Sequence, residues 1–299
     1  MSAPRLWVLN LDAEHELEAG RSYTPSAHLR ALVVRQSRRL LGSLVRSTDL
    51  VLGEEAPSEA QRERLRGLAG VAWSPTPRAL ARLAAAGAVL PPTPPVAVLR
   101  TVNARPFAAA VRAPLARASF AKHVAATLDE VLALLARPAA CGWLVRRTFG
   151  AAGRGRRRMA VGRPDAGEQA WLVASLRRGP LVLEPWVQVT REFTRSGLVR
   201  PDGSLALSRP CFQETTPSGA WTRTQPAERG AVSRADDAQL EEALAAAGAA
   251  LARAGYVGPY GIDAFHHRSA SGEVLNPLSE INARYTMDFA TAFGTGTAL

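Results

Sequence analysis

The sequence predicts an α/β protein assembled from small α+β layers. Three observations point there. Strand and helix signals alternate over the first third of the chain. Two long alternating runs further on read as hairpins. Between them lies a long amphipathic helix with an acidic start.

In order, "RLWVLNL" (5–11) reads as a first buried strand, and "SAHLRALVVRQSRRLLGSLV" (26–45) carries apolar residues at helical spacing. "DLVLG" (49–53) is a short strand, "SEAQRERLRGL" (58–68) a surface helix, and "GVAWS" (70–74) a third strand. "TPRALARLAAAG" has Thr76 as N-cap, Pro77 at the first helical position and Gly87 past the end. "PPTPPV" (91–96) fits neither a regular helix nor a central strand, so a domain boundary is expected there. Beyond it, Thr127 and Glu130 form a capping box ahead of Val131 to Ala136. "GWLVRR" (142–147) is a strand, "TFGAAGRGRRRM" (148–159) a glycine-rich element, and "PLVLEPWVQV" (180–189) another strand. "REFTRSGLVRPDGSLALSRPCF" is a hairpin turning at Pro201-Asp202-Gly203. "DDAQLEEALAAAGAALARAG" (236–255) is the long helix, and "YGIDAFHHRSASGEVLNPLSEINAR" a second hairpin.

The 299 residues suffice for a sizeable core and two domains. With 47% hydrophobic and 21% charged residues the composition is that of a globular protein. The net charge of +11 comes almost entirely from arginine, because Lys122 is the single lysine. That charge keeps an arginine-rich nucleic-acid-binding protein as an alternative. Cys141 and Cys211 are far apart, which excludes a disulfide framework and a zinc spacing. The apolar stretch before Asp12 is too short for a secretory segment, and no run reaches membrane-helix length, so a cytoplasmic location is expected.

Glu280, Asn282 and Arg284 alternate in "SEINARYTMDF". On a strand they share one face. Alternation alone also fits the exposed face of an antiparallel sheet. Asp263, on the preceding strand of the hairpin, makes the difference. It would face Glu280, and two close carboxylates repel unless a cation joins them. With the Asn282 amide the set is oxygen-only, which suits Mg²⁺ (or Mn²⁺). Gly150, Gly153 and Gly155 allow a close backbone approach to phosphate, although their spacing is neither the Walker nor the dinucleotide fingerprint.

Four blocks in this order resemble the ATP-grasp superfamily, in its carboxylate–amine ligase-like branch: "LVRRTFGAAGRGR", "LVLEPWV" followed by Glu192, "GYVGPYGIDAF", and "LSEINAR". They span roughly residues 100–290. The resemblance implies an ATP-grasp fold with an N-terminal Rossmann-like pre-ATP-grasp domain. The domains would be 1–96 and 97–299, the latter divided into 97–182 with the glycine loop and 183–299 with the metal site.

The resemblance also implies roles. The loop Gly150, Gly153, Gly155 would close over the ATP phosphates. Arg146 and Arg105 stand where the family has lysines; arginine keeps the charge and adds a fork of donors. Glu184 and the backbone of Trp186 and Val187 would meet adenine, and Glu192 the ribose. Asp263, Glu280 and Asn282 would hold Mg²⁺. Arg284 would be catalytic, matching an arginine of the biotin-carboxylase branch that faces the acyl or carboxy phosphate. Gly261 stands where some peptide ligases have an arginine. The implied activity is ATP-dependent joining of a small-molecule carboxylate to an amine through an acyl phosphate, releasing ADP and phosphate. A kinase-like phosphotransferase is the alternative within the fold. Other residues read as ordinary surface: His266 and His267 as solvated at a hairpin end, and Lys122 as exposed. Asp12, Glu14, His15 and Glu16 read as an acidic loop that, with Tyr23, marks the place to look for a substrate pocket.

Overall fold

The computed structural model describes residues 3–115, 121–150, 154–216, 221–270 and 272–293. Near the N-terminus, strands β1 (Arg5–Val8), β2 (Leu50–Val51) and β3 (Ala69–Ala72) form a parallel sheet in the order β2-β1-β3. Its helices are α1 (Ala13–Ala19), α2 (Ala27–Ser37), α3 (Glu59–Leu65) and α4 (Pro77–Ala85). Leu6 and Val8 of β1 pack on Ala79 and Leu83 of α4. A fully buried β1 residue forgoes water on both faces, as parallel strands do.

Three local expectations change. The helical run 26–45 stops at Ser37 and passes through one 3₁₀ turn, Arg38–Leu40. Gly42 at φ 80° then turns the chain, so Leu40 and Val45 bury themselves off the helix axis. The expected acidic loop is α1 itself. Thr76 is the N-cap of α4 and Pro77 its first residue, as expected, but the Thr76 side chain accepts no N–H of the helix. Its Oγ1 donates to Glu16 Oε2 at 2.6 Å, while Glu16 Oε1 accepts from the Arg78 backbone N–H at 2.9 Å. A carboxylate from α1 thus serves the helix N-terminus.

After 91–95, which lie in no helix or strand, come α5 (Val96–Val102) and α6 (Arg105–Arg112). Strands β4 (His123–Ala125), β5 (Trp143–Arg146), β6 (Arg156–Met159) and β7 (Leu181–Pro185) make an antiparallel sheet ordered β4-β7-β5-β6. Helices α7 (Leu128–Leu135) and α8 (Ala166–Leu176) cover it, with Val131, Leu135 and Leu172 against Trp143, Val145 and Leu183. The expected capping box of α7 is present, both halves formed.

The remaining strands are β8 (Val189–Val199), β9 (Leu205–Leu207), β10 (Cys211–Thr215), β11 (Trp221–Pro226), β12 (Gly258–Ser269) and β13 (Gly272–Asn282). They form the largest sheet, ordered β11-β10-β8-β12-β13, with β9 paired to β8. Helix α9 (Arg234–Arg253) lays Leu244, Ala247 and Leu251 on Tyr260, Ile262 and Leu278. Both hairpins are as expected, including the turn at Gly203, φ 82°. A final short helix, α10 (Phe289–Phe293), returns to the N-terminal sheet, where Tyr285 and Phe289 share a core with Trp7 and Trp73.

Candidate active site

A cleft of about 1450 Å³ lies between the two antiparallel sheets and reaches the N-terminal elements. Arg105, Arg146, Gly150, Glu184, Trp186, Val187, Glu192, Asp263, Glu280, Asn282 and Arg284 all line it. Gly155 does not, and Gly153 lies outside the described residues.

Asp263 and Glu280 are direct cross-strand partners on β12 and β13, so the pleat puts both carboxylates on one face. The strand pairing slips just after Asp263, between Asp263 and Phe265. Asp263 Oδ2 accepts from Asn282 Nδ2 at 3.1 Å. A third carboxylate, Asp288, lines the same cleft and accepts from Ser196 Oγ at 2.8 Å and Thr194 Oγ1 at 3.1 Å. Burial, then the negative charges of Glu280 and Asp288, push the Asp263 carboxyl up to about 7. Burial also works against ionised Glu280, but Arg105 and Arg146 outweigh it and hold that carboxyl down at about 2.

Among the described residues no three His, Cys, Asp or Glu side chains are grouped to hold a metal ion, so what the cleft would offer a divalent cation is the oxygen set of Asp263, Glu280 and Asn282. Asn282 and Arg284 favour the charged form of Asp263 without offsetting burial and the two neighbouring carboxylates, while Glu280 and Asn282 Oδ1 are given to Arg105, Arg146 and Arg284. The sign of the pH effect follows. Asp263 titrates higher folded than unfolded, so it favours the fold at low pH, and that contribution fades as pH rises from about 4 through about 7. Glu280 shifts the other way, and its contribution disappears only as pH falls through about 2. With EDTA present, the thermal midpoint should therefore drop between pH 5 and 8. Mg²⁺ should restore it most at the upper end, and Asp263→Asn should flatten the slope. An unchanged slope in Asp263→Asn contradicts this.

A buried ionic chain runs through the cleft floor. Lys122 Nζ lies 3.0 Å from Glu184 Oε2, Glu184 Oε1 lies 3.3 Å from Arg146 Nη1, and Arg146 Nη2 lies 2.9 Å from Glu280 Oε2. Arg105 Nη2 closes it, 2.7 Å from Glu280 Oε1. Lys122 is not the surface residue expected: its side chain is 4% exposed and also donates to the Ser279 carbonyl. Its partner is remote in sequence, which a local reading cannot see. Removing one member of a buried pair strands the other charge. Lys122→Ala should therefore cost about 3 kcal/mol in chemical denaturation, at the low end because Arg146 still holds Glu184.

Arg105 also ties down the glycine-rich loop, donating to Arg147 O at 2.9 Å and Gly150 O at 2.6 Å. A Cβ at Gly150 would sit 2.5 Å from Arg154 O, and Gly155 holds φ 70°, so both positions need glycine. In the linker between the sheets, the Trp186 N–H is already given to Gly142 O at 2.8 Å, and Arg158 stacks on its ring. Glu192 accepts from Thr215 Oγ1 at 2.6 Å.

Arg284 departs from the regular register. β13 ends at Asn282, and the Arg284 N–H turns back to Asn282 O at 2.9 Å. The guanidinium stays beside the trio all the same. Nη2 donates to Asn282 Oδ1 at 2.9 Å and to Glu14 Oε1 at 2.7 Å, and the group stacks 5.5 Å from the Trp73 ring centre. Glu14 and His15 of α1 line the cleft, whereas Tyr23 donates to Asp12 at 2.6 Å. His266 and His267 are not solvated. His267 is buried, and His266 meets Phe193 edge-on at 4.9 Å and lies 3.4 Å from Asp236. The β12–β8 pairing runs to His267 and covers both.

Sequence reasoning missed Asp288 and the lining contributed by α2. Asp288 follows the end of the strand, where alternation stops carrying information. The apolar spacing of α2 was visible, but not that it faces a cleft.

No protein-family profile matches the chain, and no curated protein matches it in sequence. Solved structures do. The N5-carboxyaminoimidazole synthetase of Staphylococcus aureus, solved with ADP, is 10% identical with a TM-score of 0.53, covering 96% of this chain and 71% of its own. The N5-carboxyaminoimidazole ribonucleotide synthetase of Thermus thermophilus is 18% identical with a TM-score of 0.52, covering 94% and 71%. The D-alanyl-alanine synthetase A of Vibrio cholerae is 12% identical with a TM-score of 0.51, covering 94% and 89%. Two antiparallel sheets around a shared cleft, matched over nearly the whole chain by these enzymes, identify the architecture: the chain has the ATP-grasp fold.

Proposed function

We propose that the chain is an ATP-dependent carboxylate–amine ligase, forming an amide through an acyl phosphate and releasing ADP and phosphate. One observation carries the reading: Asp263 and Glu280 paired across two strands, at a cleft that Arg105, Arg146 and Gly150 also line. The ADP complex of the similar Staphylococcus aureus synthetase supports a nucleotide in this cleft. The similarity to D-alanyl-alanine synthetase supports joining a carboxylate to an amine.

In this reading Arg105, Arg146 and the loop Gly150, Gly153 and Gly155 receive the phosphates of ATP. Glu184, Trp186 and Val187 lie at the adenine, and Glu192 serves the ribose. Glu184 also fixes Arg146 in place. Asp263, Glu280 and Asn282 hold Mg²⁺, which when bound neutralises phosphate charge and aligns the reacting groups. Arg284 meets the acid substrate's carboxylate. The carboxylate oxygen attacks the γ-phosphorus and ADP leaves. The amine then attacks the acyl carbon, phosphate leaves, and the amine loses a proton. The loop keeps water from the acyl phosphate. Two domains, divided near residue 96, would bring substrate and nucleotide together.

Titration calorimetry with ATP and Mg²⁺ tests the nucleotide assignment. Arg146→Ala should lose most affinity. It should also lose stability, because Glu184 and Glu280 keep fewer partners. Circular dichroism below the new midpoint separates the two effects. A folded Arg146→Ala protein that binds ATP like the parent would remove Arg146 from the phosphate site.

A further inference from the structure

Helix α2 is 11 residues long and buries none of them. Its half-buried positions nonetheless follow a helical stripe: Leu29, Leu32, Val33, Gln36 and Ser37, spaced i, i+3, i+4, i+7 and i+8. The first four line the cleft, and so do Arg35 of the same helix, Trp73 and Met287. An amphipathic helix normally gives such a stripe to a protein core. Here the stripe lines the same cleft as Arg284. The helix is held at its far end, where Arg39 in the following turn stacks on Trp221 of β11 at 5.5 Å.

We propose that this stripe is the side-chain pocket of the acid substrate, and that the substrate is a carboxylate with an apolar body, such as an amino acid with a branched aliphatic or aromatic side chain. This rests on the ligase reading for the direction in which the substrate enters. Two features on one cleft select that class. Arg284 holds a guanidinium at the cleft on Glu14 Oε1 and Asn282 Oδ1, and a substrate carboxylate would replace Glu14 on it. Leu29, Leu32 and Val33 offer apolar area that the fold leaves unpaired. A side chain seated on those three aliphatic groups gains by being apolar, whereas a charged one gives up hydration against them, with Arg35 as the cation that α2 adds to the lining.

Calorimetry with leucine, phenylalanine, aspartate and phosphoserine, in the presence of a non-hydrolysable ATP analogue and Mg²⁺, tests this, because these probes share one backbone and differ only in the side chain. Leucine or phenylalanine should bind at least about ten-fold more tightly than aspartate and phosphoserine, the scale of burying one apolar side chain. Leu32→Asp should remove about ten-fold of that affinity, and Leu32→Ala less. Ala31→Asp, which adds the same charge on the exposed side of α2, should change nothing. Tighter aspartate or phosphoserine binding, no amino-acid binding at all, or an unaffected Leu32→Asp would overturn the proposal. So would a change of mass in sedimentation on Leu32→Asp, which would make the stripe a face between copies. The readout is binding, so it stands apart from the ligase reading: leucine bound without ADP formation sinks the ligase reading and keeps the pocket, and ADP formed with polar acids alone does the reverse.

Discussion

Glu280→Gln is expected to lower ATP-dependent product formation about a hundred-fold, the scale of losing one electrostatic stabiliser of the transferred phosphoryl group. The structure sharpens the reason. Glu280 accepts from Arg105 and Arg146 through its two separate oxygens, 2.7 and 2.9 Å away, and faces Asp263 across the strands. A glutamine keeps the shape but removes the charge that anchors both guanidinium groups, and it presents only one acceptor oxygen. The cleft floor then holds excess positive charge, and a cation held beside Asp263 would lose a partner. Steady-state turnover with saturating ATP and Mg²⁺ measures the effect. Parental turnover in Glu280→Gln, with EDTA also harmless, would sink the metal assignment.

The second large effect is on Arg284. Arg284→Lys should bind ATP almost as the parent does while product formation from a true acid substrate falls at least about ten-fold. The guanidinium makes four contacts: Glu14, Asn282, the Tyr285 carbonyl and the Trp73 face. A lysine ammonium keeps the charge but cannot fork between a carboxylate and Asn282 or lie flat on the indole. Arg105 and Arg146, which the nucleotide reading needs, belong to the separate chain through Glu280. Nucleotide affinity and product yield should therefore part company. A variant that lost ATP affinity and kept its product yield would make Arg284 a nucleotide residue.

What the sequence revealed follows from how local each feature is. The Asp263–Glu280 pairing was legible because a hairpin brings its own strands into register, and a period of two reads directly as a face. The capping box at Thr127 and the turn at Gly203 were legible for the same reason, since each is closed within a few residues. Lys122 was not, because burial against Glu184 depends on β4 and β7 meeting across the sheet. Arg284 was half legible: its neighbour Asn282 was right, but the chain reaches it by a turn after the strand has ended. His266 and His267 were misplaced because β12 runs on to Ser269 and carries both into the sheet. The partners of Arg105 and Arg146 were hidden too. Arginines standing at lysine positions suggested phosphate contacts, whereas their closest charged partner in the fold is Glu280.

Amide formation driven by ATP can be followed in one reaction mixture. ATP, Mg²⁺, an apolar amino acid and an amine donor are incubated with the protein, and ADP, free phosphate and coupled product are counted together. Equal amounts of all three are expected. ADP with a stable phosphorylated product and no free phosphate would make the protein a phosphotransferase, and no ADP under any of these conditions would contradict the account outright.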